Sequence, residues 1–554
     1  MDSEYLKLKR SNCKNCHKCI RNCPVKSIRF SDGHAQIIGE ACLLCGQCFV
    51  VCPQNAKIIR DDLPLVKEAL ASGRPVVASL APSFVANYRG ATINSMRRAL
   101  KTLGFAAVEE TAVGASVVKT RYEELLCDHS VLISSCCPVV NDLIREYYPD
   151  ALPYLANVIT PMEAHARLIK RGQPDAVTVY IGPCIAKKRE ADHSSYVDIS
   201  LTFEDLTRWL VEEGVMLAPE PDDLAESRAR LFPTAGGIWR TMKRDPAITY
   251  VSVDGMQNCI AAIKDIIAGE LEHCFIEMSS CAGSCIGGPA MERRALPVRD
   301  YAIINAYAGR KDYRVDQPPA EELAEQHRPV SIHAAHIGES AIEETLRKMG
   351  KLKPEDELNC GFCGYDTCRE KAKAVCQGKA EISMCLPYLM EKAKSFSDII
   401  IQNSPNGVLV LNESFEIQDL NNAACSILNI KNRTDVVGRP VVSLLNPIAA
   451  VQAAREGRTV RRPPEYLSEY GRYIEQTVMY DKTYRIVILL LRDVTEQESV
   501  RTEKESVSVS TVQAADRVIE HQIRMAQEIA SLLGETVAET KAVLTTLKES
   551  VRNE

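Results

Sequence analysis

Two runs of four cysteines constrain this chain more than anything else in it. Cys13, Cys16, Cys19 and Cys23, followed by Pro24, recur as Cys42, Cys45, Cys48 and Cys52, followed by Pro53, both with the spacing C-x2-C-x2-C-x3-C-P. They belong to a total of 22 cysteines, which in a secreted protein would read as disulfides. No stretch approaches 18 consecutive apolar residues, and the opening MDSEYLKLKRSNCKNC lacks the apolar core of a secretory signal. A reducing cytoplasm is therefore expected, where metal ligation and catalysis are the uses that retain so many thiols. The balance of 67 Lys plus Arg against 73 Asp plus Glu, a net charge of -6, leaves no strongly basic surface, so neither nucleic acid nor a membrane is an expected partner. At roughly 150 residues per domain, 554 residues form three to five folding units.

Thiolates two residues apart in a tight turn can bind adjacent corners of one iron-sulfur cube, while the fourth cysteine of each run crosses to the other cube. Two 4Fe-4S clusters in a ferredoxin-like domain are thus expected over residues 1–62. Structural zinc is the alternative reading, since it also takes C-x2-C pairs, but it uses one or two of them between longer spacers. His17, between ligands, reads as a solvated turn residue.

Over residues 63–315 the pattern turns to α/β. The apolar runs Pro75 to Leu80, Val131 to Ser134, Val177 to Ile181 and Phe275 to Met278 each precede a Cys, Pro or Gly turn, as buried parallel strands do. Five cysteines sit at such strand ends: Cys136 and Cys137 in SSCCP, Cys184 in PCIAKKRE, and Cys281 and Cys285 in SCAGSCIGG. Loops at the carboxyl ends of parallel strands converge on one crevice, so these distant segments can share a site. The bland reading, a small buried apolar thiol, is kept for Cys127, Cys259, Cys274 and Cys425.

Those three segments, in that order behind the doubled run, resemble the three H-cluster motifs of the FeFe-hydrogenase family. The resemblance covers about residues 10 to 310. It implies that Cys137, Cys184, Cys281 and Cys285 hold a 4Fe-4S cube, that Cys285 also bridges to a two-iron subsite carrying carbon monoxide, cyanide and azadithiolate, that Cys136 passes protons, and that Lys187 donates a hydrogen bond to a cyanide. Pro82 and Ser83, in the loop after the first apolar run, would add contacts to the same group. Catalytic members place Met where this chain has Gly182 and Ser279, and an aromatic residue where it has Val140. Their proton-relaying Glu-rich helix is here KTRYEELL, Lys119 to Leu126. Slow turnover is the expected consequence.

The polar segment Gln317 to Arg328 reads as a linker within residues 316–345. Residues 346–395 resemble a small iron-sulfur domain in which Cys360, Cys363, Cys368 and Cys385 hold another 4Fe-4S cluster. Zinc is again the alternative, and Cys376 reads as a packed helix residue. Residues 396–497 resemble a PAS domain: a strand, a turn at Asn412-Glu413, a strand, a short helix entered through Asn421 and Asn422, and a last apolar strand from Tyr484 to Leu491. Residues 498–554 carry a heptad seam, Ile519, Ile523, Ala526, Ala530, Leu533, Val537, Thr540, Leu544, Leu547 and Val551. It reads as a coiled coil, or as one amphipathic helix packed on its own chain.

Assembled, these readings describe a multidomain α/β and α+β protein: a slow, sensory FeFe-hydrogenase interconverting hydrogen with protons and electrons, wired by iron-sulfur clusters to a PAS and helical output module. A redox partner such as ferredoxin, a signalling kinase or phosphatase, and a homodimer through the PAS and C-terminal helix are the partners it implies. A bulk catalytic hydrogenase and a non-hydrogenase iron-sulfur electron-transfer or scaffold protein are the alternatives.

Overall fold

The computed structural model describes residues 4–31, 33–221, 227–292, 297–332, 337–497, 522, 525 and 540–546. The chain divides into two compact units, Met1–Cys385 and Leu386–Glu554.

At the start of the first unit the sequence repeat reappears as a structural one. Helices Lys18–Arg21 and Gln47–Val50 occupy the same place in the two cysteine runs, each entered through a residue in the left-handed region, His17 at φ 55° and Gly46 at φ 74°. Two short antiparallel pairs, Leu6–Leu8 with Lys57–Ile59 and Ile28–Ser31 with His34–Ile37, brace them. His17 is not solvated. Its ring packs edge-on against Phe30 at 4.8 Å, and burial lowers its pKa to about 4.

The α/β region contains two parallel sheets where one crevice-forming sheet was expected. One has four strands in the order Ala107–Glu110, Val76–Leu80, Val177–Gly182, Ile199–Thr202; the other has three, in the order Thr249–Asp254, Cys274–Ser279, Val131–Ile133. The four expected apolar runs are all strands, two neighbours in each sheet. Val76–Leu80, Val177–Gly182 and Cys274–Ser279 are buried along their whole length, which is why they read as continuous apolar runs rather than alternating ones.

The helix that follows Cys184, Ala186–His193, is anchored by a charge network. Lys188 is fully buried, and its Nζ donates to Asp62 Oδ2 at 3.0 Å, Asp205 Oδ2 at 3.1 Å and the Ser200 carbonyl at 3.1 Å. Asp205 also closes a capping box with Thr202 at the start of helix Phe203–Glu212. The segment read as a linker is packed onto the domain. Leu323 is buried, Ala324 bridges Val158, and Val330 N–H donates to the Arg145 carbonyl at 2.9 Å.

The second unit is built on a five-stranded antiparallel sheet, Gly407–Leu411, Ile417–Leu420, Val460–Leu467, Arg472–Asp481 and Ile486–Asp493, in the order second, first, fifth, fourth, third. Helices Asn422–Ile427 and Ile448–Glu456 cover the face lined by Leu409, Leu411, Val478, Val487, Leu489 and Leu491. Buried Asn421 caps the first of them. Its Oδ1 accepts from Ala424 N–H and Val408 N–H, and its Nδ2 donates to the Ile401 and Asn406 carbonyls. The strand Val460–Leu467 had no legible sequence signal, because Pro463 and Pro464 lie in it where the ladder shifts register between Arg462 and Glu465. Of the heptad seam, Thr540 and Leu544 fall in the helical turn 540–546, and the other positions lie outside the described residues. Among the described residues no helix is long and apolar enough to cross a membrane.

Lys188→Met should destabilise the first unit by about 3 kcal/mol, because Asp62 and Asp205 lose a buried cation while Arg60 still pairs with Asp62. Both tryptophans of the chain, Trp209 and Trp239, lie in this unit, so urea unfolding followed by their fluorescence reads it directly. A loss below 1 kcal/mol would contradict the anchoring role.

Candidate functional site

The N-terminal repeat encloses two cavities. One is lined by Cys13, Cys16, Cys19 and Cys52, the other by Cys23, Cys42, Cys45 and Cys48, so each run lends its fourth cysteine to the other run's set. None of the 22 thiols is in a disulfide. Burial pushes the Cys19 thiol up to about 11 and raises Cys42, Cys45 and Cys48 as well. A buried thiolate therefore needs a cation to compensate it. Four thiols are spread around the wall of each cavity. A cube with one iron per thiolate is the group that this spread fits.

The second constellation lies where the two parallel sheets meet. Pro82 and Ser83 follow Val76–Leu80, Cys184 follows Val177–Gly182, Cys136 and Cys137 follow Val131–Ile133, and Cys281 and Cys285 follow Cys274–Ser279. The structure brings them together from both sheets. Ser280 Oγ lies 3.8 Å from both Cys137 Sγ and Cys281 Sγ. Burial first, then the charges of Cys137 and Cys184, push Cys285 up to about 12, and burial followed by Cys137 pushes Cys184 up to about 11. Cys281 rises through burial and the charges of the other three.

Beside this thiol shell is a cavity of about 90 Å³ whose walls include Pro82, Ser83, Cys136, Tyr180, Lys187 and Cys285. Ser83 Oγ is buried with no hydrogen-bond partner among the described residues, which marks the cavity as shaped for a group that carries acceptors. Buried Lys187 donates to Thr160 Oγ1 at 2.9 Å and to Glu190 Oε2 at 2.6 Å. Desolvation pulls its pKa down, but the charge and hydrogen bond of Glu190 together with the charges of Cys184 and Cys136 outweigh it and leave it raised, so the ammonium persists in a dry site. Thr160 is held in place as the N-cap of helix Pro161–Gly172 and also donates to Glu190 Oε1.

Cys136 is a thiol, not a thiolate: burial drives its pKa up, against the hydrogen bond from Tyr122. The Tyr122 hydroxyl lies 3.2 Å from Cys136 Sγ and 3.0 Å from Ser135 Oγ, and it accepts the Ser135 N–H at 2.9 Å. Fully buried Tyr122 meets the Cys136 thiol, whereas Glu124 pairs with Arg121 on the surface and Glu123 accepts the Lys243 N–H. The neighbouring Lys119 is buried too, donating to the Thr241 carbonyl and Asp312.

At Gly182, where catalytic relatives of the resemblance carry Met, a Cβ would stand 2.3 Å from the Tyr180 hydroxyl oxygen. Tyr180 occupies that volume and forms part of the cavity wall. Glu277 sits close by, its carboxylate accepting N–H groups of Gly236, Ile238 and Trp239, and burial pushes it up to about 8. Sequence reasoning missed Tyr122, Thr160, Tyr180, Glu190 and Glu277. Of these only Glu190, three residues after Lys187 on one helix face, carries a sequence signal.

Cys360, Cys363, Cys368 and Cys385 form the third set, with the Cys385 and Cys360 charges both acting on Cys363. Cys376 lies apart, on helix Cys368–Cys376, 3.2 Å from Thr345 Oγ1.

Comparison with known proteins agrees with this division. Residues 74–289 match the family of the iron only hydrogenase large subunit, C-terminal domain; residues 5–53 match a 4Fe-4S dicluster domain, and residues 356–387 match an Fe-S cluster family. The chain is 24% identical over 369 residues to the NADP-reducing hydrogenase subunit HndD of Solidesulfovibrio fructosivorans, covering 50% of this chain and 62% of that one. It is 26% identical over 384 residues to the periplasmic Fe hydrogenase large subunit of Nitratidesulfovibrio vulgaris, covering 55% and 91%. An apo FeFe-hydrogenase HydA1 of Chlamydomonas reinhardtii aligns in three dimensions with 18% identity and a TM-score of 0.39, over 48% of this chain and 98% of that one. Over residues 74–289 the chain is thus similar to the FeFe-hydrogenase large-subunit domain, and over residues 5–53 to a 4Fe-4S ferredoxin domain.

Tyr122→Phe should cost about 1–3 kcal/mol, because the buried Ser135 N–H is left without an acceptor. Urea unfolding compared with the unsubstituted chain measures it, and equal stability would contradict the assigned hydrogen bonds.

Proposed function

We propose that this chain is a sensory FeFe-hydrogenase that oxidises hydrogen reversibly and slowly. The observation that carries the reading is the convergence of Ser83, Cys136, Lys187 and Cys285 on one cavity beside the Cys137, Cys184, Cys281 and Cys285 thiols. Those four thiols would hold the cube of an H-cluster, with the two-iron subsite in the cavity. When bound, that cofactor supplies the redox and acid–base chemistry that separates hydrogen into protons and electrons.

The protein's part is positioning and proton handling. Lys187 spends two of its three donors on Thr160 and Glu190, which fixes its ammonium and leaves a charge-assisted donor for a cyanide. Ser83 supplies a neutral hydroxyl from the opposite loop. Cys136 holds a proton at Sγ and exchanges it toward the cavity, while the Tyr122 hydroxyl orients the thiol. Behind that pair the hydrogen-bond chain runs from Ser135 Oγ to the Val158 carbonyl, an acceptor that cannot pass a proton on. An outward path of this kind, together with Tyr180 in the Met volume, supports slow turnover.

The sensory half of the proposal rests on the second unit. A small antiparallel sheet covered by short helices, of the kind expected of a PAS domain, has no role in hydrogen chemistry and suits a module that responds to a neighbour's state. A bias of about 1–3 kcal/mol between two arrangements is enough for such a response. Its readout would be a cytoplasmic signalling kinase or phosphatase, reached through a homodimer, with ferredoxin or a similar carrier exchanging electrons.

Infrared spectroscopy after artificial maturation of the full chain tests the cofactor directly. Bands from metal-bound carbon monoxide and cyanide, together with hydrogen-dependent dye reduction, are the expected result; absence of both would reject the hydrogenase reading in favour of an electron-transfer or scaffold protein. In the matured protein Cys136→Ala should suppress turnover by at least about 100-fold with iron content unchanged, the scale of losing a positioned proton-transfer group. Near-normal turnover in that variant would remove Cys136 from the proton route.

A further inference from the structure

The small cysteine domain is clamped onto the N-terminal repeat through the loop that carries its own first two cysteines. Arg21 forks across that loop, with Nε donating to the Gly361 carbonyl at 3.3 Å and Nη2 to the Phe362 carbonyl at 3.0 Å. Lys26 Nζ donates to the Gly364 carbonyl at 3.0 Å, and Phe30 N–H donates to the Lys379 carbonyl at 2.8 Å. Gly364 has φ +94°, and a Cβ there would stand 2.9 Å from Ile20 Cγ2 and 3.2 Å from Arg21 N, so only glycine allows the approach. The surface it lies on is helix Lys18–Arg21, which contains Cys19 and is followed by Cys23, two cysteines of different four-cysteine sets.

Tyr365 fills the seam. It is 3% exposed and shares one apolar cluster with Cys23, Cys42, Cys48 and Cys363, and Lys26 and Lys371 lie over its ring at 6.0 and 5.6 Å. Its hydroxyl is buried and has no hydrogen-bond partner among the described residues. Leaving such a group unmade costs about 1–3 kcal/mol, so a buried phenol kept in place of phenylalanine calls for an acceptor. Thiols of both sets share its cluster, Cys363 two residues before it and Cys23 from the repeat.

We propose that Tyr365 is a positioning residue for iron-sulfur chemistry, its hydroxyl donating a hydrogen bond to a cluster sulfur, thiolate or inorganic, at one of the two four-cysteine sets that flank it. The candidate acceptors are the Cys23, Cys42, Cys45 and Cys48 set and the Cys360, Cys363, Cys368 and Cys385 set. This rests on the reading of both sets as cluster sites. Arg21 and Lys26 hold the two sets in one body, so a single side chain tunes the junction between the small domain and the repeat.

The test is a redox titration of the full chain, reconstituted anaerobically with iron and sulfide and followed by electron paramagnetic resonance. Hydrogen bonds to cluster sulfur stabilise the reduced, more negative state and raise the potential. Tyr365→Phe should therefore move the midpoint of one cluster to a more negative value with iron content unchanged. The same substitution made on Cys360→Ala, which removes the small domain's set, separates the two acceptors: a shift that persists places the acceptor on the Cys23 set, and one that disappears places it on the Cys360 set. Unmoved midpoints in Tyr365→Phe with full iron content would overturn the proposal and leave the cluster reading standing. An unsubstituted chain that takes up no iron at these sets would sink both.

Discussion

A thiolate withdrawn from water is costly unless a cation meets it, and this chain withdraws cysteines in groups. Cys19, Cys42, Cys45 and Cys48 of the N-terminal sets and Cys184, Cys281 and Cys285 of the central shell are raised chiefly by burial, and the last three are raised further by neighbouring cysteines. Only a polycationic group bound in their midst reverses that sign. The rest of the first unit follows from the requirement. Two parallel sheets aim their carboxyl ends at one place, buried Lys188 fixes the helix behind Cys184, and the small domain is clamped by Arg21 and Lys26.

The two sides of the central cavity do different work. One side offers fixed donors: the Lys187 ammonium, locked by Glu190 and Thr160, and the neutral Ser83 hydroxyl, which has no hydrogen-bond partner among the described residues. The other offers the Cys136 thiol, kept neutral by burial and in contact with the Tyr122 hydroxyl. Replacing a flexible thioether by Tyr180 beside Gly182 puts a rigid ring with a polar end into the wall.

How far this was legible depended on how local each signal was. The doubled cysteine run was readable in full, including the crossing of Cys23 and Cys52, because its spacing encodes tight turns within a few residues. The buried strands were readable because Val76–Leu80 and its counterparts are apolar throughout and end at Pro or Cys. Their division into two sheets was not, since pairing between Cys274–Ser279 and Val131–Ile133 spans more than a hundred residues. Tyr122 escaped because charge, not packing, drew attention in KTRYEELL, and helix rotation buries the tyrosine while turning Glu124 outward. Gln317 to Arg328 looked like a linker by polarity, yet Leu323 alone suffices to pin it. Val460–Leu467 was masked by its two prolines, tolerated at the break in register.

The most direct measurement is an anaerobic crystal structure of the matured full chain with an iron anomalous difference map. The account predicts a compact iron peak enclosed by the sulfurs of Cys137, Cys184, Cys281 and Cys285, extending into the cavity between Ser83, Cys136 and Lys187. Iron confined to the N-terminal repeat and the Cys360 to Cys385 set, with those four thiols bare, would contradict it.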